Sequence, residues 1–329
     1  MYKAFYNLKR NPFDITPDPS FLFPTTRHNE ALASLYYGVR RHKGFVVLTG
    51  EVGTGKTLLL RCLLQLLKQS PDVAYAYLFN SRLSPTEFLQ YIVSDFGRPA
   101  SGKNKSELLI DLCNYVVTRG LNKQTTVLIV DEAHHLSAEA LEEVRLLTNL
   151  ETTQEKLLQI LLVGQPELDE KLDSTNLRQL KQRIAFRTHL EPLNSDDTKG
   201  YVERRLQIAG ANSHASTLFS AQTIAAVYRH SRGFPRLINT ICENALITSY
   251  ARSARSVTPE VIDEVAKDLR LDVVRSPESE TTDVPNEMDV QRAAKVMLDM
   301  YSALRKPLAR KPDLEQPVPV QATKHEPII

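Results

Sequence analysis

The stretch VVLTGEVGTGKTLLLR, Val46 to Arg61, decides how this chain is read. It joins an apolar run to a leucine-rich one through three glycines within six positions, Gly50, Gly53 and Gly55. Glycine weakens a junction entropically, so such a cluster marks backbone that must pass close to something. Gly50, Glu51, Val52, Gly53, Thr54, Gly55, Lys56 and Thr57 fit the spacing G-x-x-x-x-G-K-S/T between a predicted strand and a predicted helix. In that setting successive amides wrap a β-phosphate and the helix N-terminus adds partial positive charge. Lys56 then reaches the β and γ phosphates, and Thr57 offers its hydroxyl to Mg²⁺. The alternative, a glycine-rich turn with no ligand, requires Lys56 and Thr57 to fall in place by accident.

A second stretch points the same way. TVLIVDEAHHL closes an apolar strand with Asp131 and Glu132, and two carboxylates at a buried strand's C-terminal edge are costly unless they face a cation or water. Beside a triphosphate, Asp131 would hold Mg²⁺ and Glu132 would polarise the attacking water, which implies hydrolysis of ATP as well as binding. His134 and His135 follow directly. Neighbouring histidines without a third ligand make a poor metal site, so they are read as polar loop residues.

Outward from these motifs, apolar β-rich runs alternate with helix-length segments: 45–49, 73–80, 126–131, 158–164 and 184–190. That pattern predicts an α/β fold with a five-stranded parallel sheet covered on both faces. SPTEFLQYIVSDF carries Ser84 as N-cap, Pro85 in the first turn and Glu87 three positions after the cap. Past a boundary near Pro192 the β signal ends, and helices starting near Ser195, Ser220, Phe234 and Thr258 predict a small all-α domain. The expected division is 1–43 as an N-terminal segment, 44–192 as the sheet domain, 193–271 as the helical domain and 272–329 as a polar, proline-bearing, mostly disordered tail. Within that tail Val290, Ala293, Met297, Tyr301 and Leu304 recur at helical spacing. Such a helix either packs on its own domain or docks into a partner's groove.

Composition sets bounds. The 329 residues, 42% of them hydrophobic, suffice for one large or two modest cores, and 41 Lys+Arg against 39 Asp+Glu give a net charge of +2. Net charge therefore does not announce a nucleic-acid partner, although a local basic face remains open. No run has the length of a signal peptide core or a membrane span, so a cytoplasmic protein without direct membrane insertion is expected. Cys62, Cys113 and Cys242 lie far apart in helical segments and read as reduced, buried small hydrophobes.

With both phosphate motifs placed, residues 1 to about 270 resemble one family. YNLKRNPFDITPDPSFLFPTTRHNEALASLYYGVRRHKGFVVLTGEVGTGKT, LLQILLVGQPEL, LKQRIAFRTHLEPL and RGFPRLINTICENAL are similar to the AAA+ ATPases of the ExeA type (general secretion pathway protein A). These are related to the transposition ATPases TniB, TnsC and MuB. The resemblance implies a P-loop AAA+ sheet sandwich followed by a helical lid. It also implies roles for further residues: Gln165 as the sensor 1 side chain, Arg183 as the arginine finger with Arg178 as backup, and Arg236 as sensor 2, aimed by Gly233 and Pro235. The segment around Phe23, Pro24 and His28 would wrap the adenine and the N-terminal 43 residues the nucleotide site.

An arginine finger serves a neighbouring subunit, so self-association into a ring or filament follows from that assignment. The expected partner is a secretion or pilus component, or a transposase. In the transposition reading duplex DNA is a further partner, with Arg40, Arg41, His42, Lys43, Lys103, Lys105, Arg252 and Arg255 as candidate phosphate contacts. ExeA proteins carry a membrane segment and a peptidoglycan-binding portion after the ATPase. Neither is evident in these 329 residues, so a direct envelope role is not expected unless a partner brings the membrane. A scaffold that uses nucleotide only to fold is the third reading. Intact Lys56, Thr57, Asp131 and Glu132 argue against it.

Overall fold

The computed structural model describes residues 2–79, 82–211 and 215–271. The expected tail helix and the polar tail lie outside the described residues. Strands are β1 (Phe45–Gly50), β2 (Val73–Leu78), β3 (Thr125–Val130), β4 (Leu158–Gly164) and β5 (Phe186–Leu190). All four pairings are parallel, in the order β2-β3-β4-β1-β5, as the alternating sequence pattern predicts.

The helices are α1 (Tyr2–Phe5), α2 (Thr26–Arg40), α3 (Lys56–Lys68), α4 (Pro85–Asp95), α5 (Lys105–Leu121), α6 (Ala138–Leu147), α7 (Glu167–Asp173) and α8 (Arg178–Lys181). They continue with α9 (Ser195–Ile208), α10 (Ala215–Leu218), α11 (Ala221–Ser231), α12 (Pro235–Ala251) and α13 (Pro259–Asp268). Starts follow local chemistry. Ser84 and Glu87 close a reciprocal capping box on α4, and Pro235 and Pro259 open α12 and α13.

Successive residues of a strand point to opposite faces, and the core divides accordingly. Val46, Leu48, Val127, Ile129, Leu161 and Val163 meet Leu35, Val39, Leu59, Leu60, Leu63 and Leu67 of α2 and α3. On the other face Phe45, Val47, Leu128, Val130, Ile160 and Leu162 meet α4, α5 and α6. Each buried leucine contributes about 1.5–3 kcal/mol, and β1, β3 and β4 are buried along their whole length. The third core joins α9, α11, α12 and α13 to Tyr2, Tyr6, Leu8 and Phe13, so the first residues of the chain pack among its last described helices.

Two strands are shorter than the sequence predicts. β5 begins at Phe186 because Arg183 and Ile184 continue the turn off α8, their amides bonding the Leu180 and Lys181 carbonyls. The β2 ladder ends at Leu78. Asp131 lies one residue beyond β3, its amide still bonded to Leu78 O at 2.8 Å. The cysteines are all free. Cys62 and Cys242 are buried, while Cys113 is only half-buried.

Candidate functional site

Because β4 lies between β1 and β3, the loops leaving β1, β4 and β3 come out side by side at the carboxyl edge of the sheet. That crevice is where ligands bind in open parallel sheets. After β1 the chain runs through Gly50–Gly55 into α3. Gly55 takes a left-handed conformation (φ 104°) as the residue before the helix, and no side chain caps α3, so its first amides stay available. Gly53 (φ 85°) passes so near α12 that an added Cβ would come within 2.9 Å of Arg236 Cβ. The Arg236 amide also donates to Gly53 O at 3.3 Å. His28, buried at the start of α2, supports the loop from behind, its Nε2 3.2 Å from Thr54 O.

Lys56 is buried, and its Nζ donates to Gly50 O at 2.7 Å and Glu51 O at 3.0 Å. Burial pulls its ammonium below the usual lysine range, opposed by the nearby Glu132 and Asp131 carboxylates. Asp131 is 5% exposed, and burial pushes its carboxyl upward. Hydrogen bonds from Tyr77 Oη (2.8 Å) and the Glu132 amide (2.9 Å) counter that effect. Glu132 adopts a left-handed backbone (φ 52°), uncommon for a residue with a side chain, and its Oε2 is buried without a hydrogen-bond partner among the described residues. Gln165, at the end of β4, is half-buried, its Nε2 3.0 Å from His134 Nε2 and its main-chain N–H 3.4 Å from His134 Nδ1.

His134 overturns the expectation of a polar loop residue. It sits in a single helical turn, Ala133–His135, and is buried against Gln165, with Lys171 donating to the His134 and Leu136 carbonyls. Burial lowers its pKa. His135 remains exposed.

A cavity of about 330 Å³ runs along this edge, within the range of small-ligand pockets. It is lined by Val52, Gly53, Gly55, Lys56, Thr57, Glu132 and Arg236, and also by residues 14–18, Tyr201, Arg205 and Asn239. The Arg236 guanidinium has no bonded partner among the described residues. Its helix is aimed by Gly233, where a Cβ would fall 1.8 Å from Leu193 O, and whose own carbonyl accepts from Leu193 N at 2.9 Å.

The rest of the lining differs from expectation. Phe23 packs edge-on against Tyr201 at 6.0 Å, and neither it, Pro24 nor His28 lines the cavity. The Asp14-Ile15-Thr16-Pro17-Asp18 segment does instead, held by Arg205. That guanidinium is 4% exposed and donates to Pro12 O (2.5 Å), Asp14 O (3.0 Å) and Tyr201 Oη (2.7 Å), while Tyr201 Oη donates to Asn239 Oδ1 at 2.9 Å. Sequence reasoning passed over Tyr201, Arg205, Asn239 and Tyr77. The i, i+4 spacing of Tyr201 and Arg205 was the available signal.

Arg183 and Arg178 lie off the cavity. Arg183 is half-buried, Nη1 donating to Thr148 Oγ1 at 3.1 Å, whereas Arg178 is exposed without a bonded partner among the described residues. The expected DNA-contact clusters are largely engaged within the chain. Arg40 pairs with Asp72 (3.0 Å), His42 with Glu155 (2.8 Å), Lys105 with Glu143 and Arg252 with Glu264 (2.5 Å each). Lys103 pairs with Asp111, and Arg255 bonds Phe5 O at 2.8 Å.

Residues 39–172 match the model of an AAA domain family. General secretion pathway protein A of Aeromonas hydrophila is 44% identical over 258 residues, which are 78% of this chain and 46% of that protein, so the chain spans about half the length of this relative. The ATP-dependent target DNA activator B of Escherichia phage D108 is 27% identical over 235 residues, 70% of this chain and 68% of that one. Among solved structures, the Aeropyrum pernix ORC2 protein in its ADPNP-ADP complexes superposes with a TM-score of 0.61 at 18% identity, covering 89% of this chain and 79% of that one. Drosophila ORC bound to DNA gives 0.59 at 19% identity, covering 82% and 66%. At such identities the likeness concerns the fold.

Proposed function

This chain is an AAA+ protein of the ExeA type, and from that premise we propose that it binds and hydrolyses Mg-ATP to drive assembly or remodelling of a protein partner. The observation that carries the reading is convergence on one cavity: the Gly50–Thr57 loop, Lys56 and Thr57 from β1 and α3, Glu132 from beyond β3, and Arg236 from α12. Asp131 and the Thr57 hydroxyl are hard oxygen donors of the kind Mg²⁺ takes, and the buried, unpartnered Oε2 of Glu132 fits a group that meets a polar ligand. When bound, the metal would neutralise charge on the phosphate oxygens.

The chain's own residues divide the remaining work. Loop amides and Lys56 grip the β and γ phosphates. Glu132 orients the attacking water and draws its proton, Gln165 contacts that water or the γ-phosphate, and Arg236 lies over the phosphates from the helical side. Residues 14–18, Tyr201 and Asn239 enclose the base and ribose. Arg183, off its own cavity, acts on the nucleotide of a neighbouring subunit, so ATP promotes a ring or filament and hydrolysis dissolves it. Its partner is a secretion or pilus component.

Turnover by the purified protein tests the enzyme reading. Glu132→Gln should keep nucleotide affinity and lower turnover by about 100-fold or more. Wild-type turnover no faster than that variant would sink it. Mixing Lys56→Ala with Arg183→Ala subunits should restore part of the activity that each lacks alone.

A second reading, an ATP-dependent DNA-binding transposition regulator, draws on the likeness to target DNA activator B. ATP-dependent duplex affinity that falls steeply between two salt concentrations would favour it. The internal pairing of Arg40, Lys103, Lys105 and Arg252 weighs the other way.

A further inference from the structure

Resting on the nucleotide reading above, we infer that His28 is a positioning residue: its ring donates to the Thr54 carbonyl from behind the phosphate loop and so aims the Gly55 amide at the β-phosphate. Each ring nitrogen has a defined role. Nε2 lies 3.2 Å from Thr54 O, and a carbonyl only accepts, so Nε2 carries the proton. Nδ1 then holds a lone pair 2.6 Å from Thr25 Oγ1 and accepts from that hydroxyl. The same Thr25 oxygen accepts the His28 amide at 3.2 Å, as N-cap of α2. His28 is 6% exposed, and burial, opposed by the bond to Thr54 O, pulls its pKa below the usual histidine range, so the neutral ring holds at pH 7.

The consequence falls on the next peptide. The described peptide bonds are all trans, which sets the Thr54 C=O and the Gly55 N–H on opposite sides of their shared plane. Thr54 is buried, its amide and hydroxyl both donating to Glu51 O at 3.3 and 2.9 Å. Gly55 lines the cavity, and its amide has no main-chain acceptor among the described residues. With the carbonyl held toward α2, the N–H is left for the cavity. That orientation needs a restraint. Gly55 sits at φ 104°, and the freedom that permits this angle also lets the Thr54–Gly55 peptide turn over, presenting a carbonyl to the phosphate in place of an amide. The His28 proton opposes that turn, and a ring without a donor would not.

Phenylalanine at position 28 keeps a buried ring of similar size and removes the donor, whereas glutamine carries an amide N–H to the same place. In the full-length chain, competition against a fluorescent ATP analogue should show His28→Phe binding ADP and ATP about tenfold more weakly than wild type, with AMP, which has no β-phosphate, within about twofold. His28→Gln should recover most of that affinity. The ring nitrogens of wild-type His28, read by ¹⁵N NMR near neutral pH, should report the Nε2–H tautomer, a measurement that stands even where a variant fails to fold.

The inference is overturned by His28→Phe binding ADP within twofold of wild type, or by an equal loss for AMP. No recovery in His28→Gln, or a proton on Nδ1 in place of Nε2, overturns it equally. A wild-type protein that binds neither ADP nor ATP removes the function proposed above, whereas a wild type that binds both and is matched by His28→Phe removes only this role.

Discussion

The sheet half and the helical half of the molecule are held by different forces. In the sheet, β1, β3 and β4 are buried end to end between two apolar layers, with buried polar side chains confined to the strand ends: Thr125, Thr126 and Gln159 at one and Thr49 at the other. The helical half has its own apolar core, and its junction with the rest combines aromatic packing, Phe23 against Tyr201, with a few polar links. These are Arg205 on the Pro12 and Asp14 carbonyls, Leu193 on Gly233, and Arg236 on Gly53. Burial energy spread over many side chains tolerates local loss, while a seam of single hydrogen bonds does not. The cavity sits on that seam, with Val52, Gly53, Gly55, Lys56 and Thr57 on the sheet side and Arg236 on the other.

The largest expected effect breaks the site and leaves both halves intact. Lys56→Ala should reduce affinity for an ATP analogue by about 100-fold or more, since one desolvated charge-assisted contact is lost, with the unfolding midpoint little changed. Fluorescence titration beside a thermal melt checks both parts. Next, Gly233→Ala sets a methyl group against the Leu193 carbonyl and should destabilise the helical half by about 3 kcal/mol or more. Hydrogen exchange should then show faster exchange in α12 with β1, β3 and β4 unchanged. Equal loss in both halves would mean that the seam and the sheet unfold together.

Arg205→Leu strands two carbonyls and the Tyr201 hydroxyl, for about 2–4 kcal/mol by denaturant unfolding. Its companion readout is proteolysis within residues 9–18, which should rise. Tyr77→Phe removes one hydrogen bond to Asp131 and should lower stability by only about 1 kcal/mol, yet raise the Mg²⁺ concentration required for half-maximal nucleotide binding. The smallest effect belongs to the surface pairs. Alanine at Arg40, Lys105 and Arg252 together should change duplex retention by less than about twofold, because each cation already has a carboxylate partner. A large drop would revive the DNA reading.

The legibility of the sequence follows the same division. The continuous apolar runs of β1 and β3, the glycine spacing at Gly50–Gly55 and the carboxylates after Val130 are local signals, readable within a dozen residues, and the sheet and its edge followed from them. The cavity wall made by residues 14–18, Tyr201, Arg205 and Asn239 was not legible. Arg205 reads in sequence as one of two adjacent arginines of α9, and only the return of Pro12 and Asp14 over α9 gives it carbonyl partners nearly two hundred residues away. The histidine pair fails for a similar reason. His134 and His135 are chemically alike, and only the long-range contacts with Gln165 and Lys171, from beyond β4, set the buried one apart from its exposed neighbour. The placement of Arg236 was partly readable, since Gly233 and Pro235 announce a turn and a helix start, but the bond from its amide to Gly53 was not.

That bond joins the phosphate loop and the first turn of α12 at a single point, with no room at Gly53 for even one methyl group. A pivot so close to the phosphates has a long arm and a short one. Rotation of the helical half about it displaces Asn239, one turn along α12, further than Arg236, so the residues of α12 beyond its first turn move most and the loop beside Gly53 least.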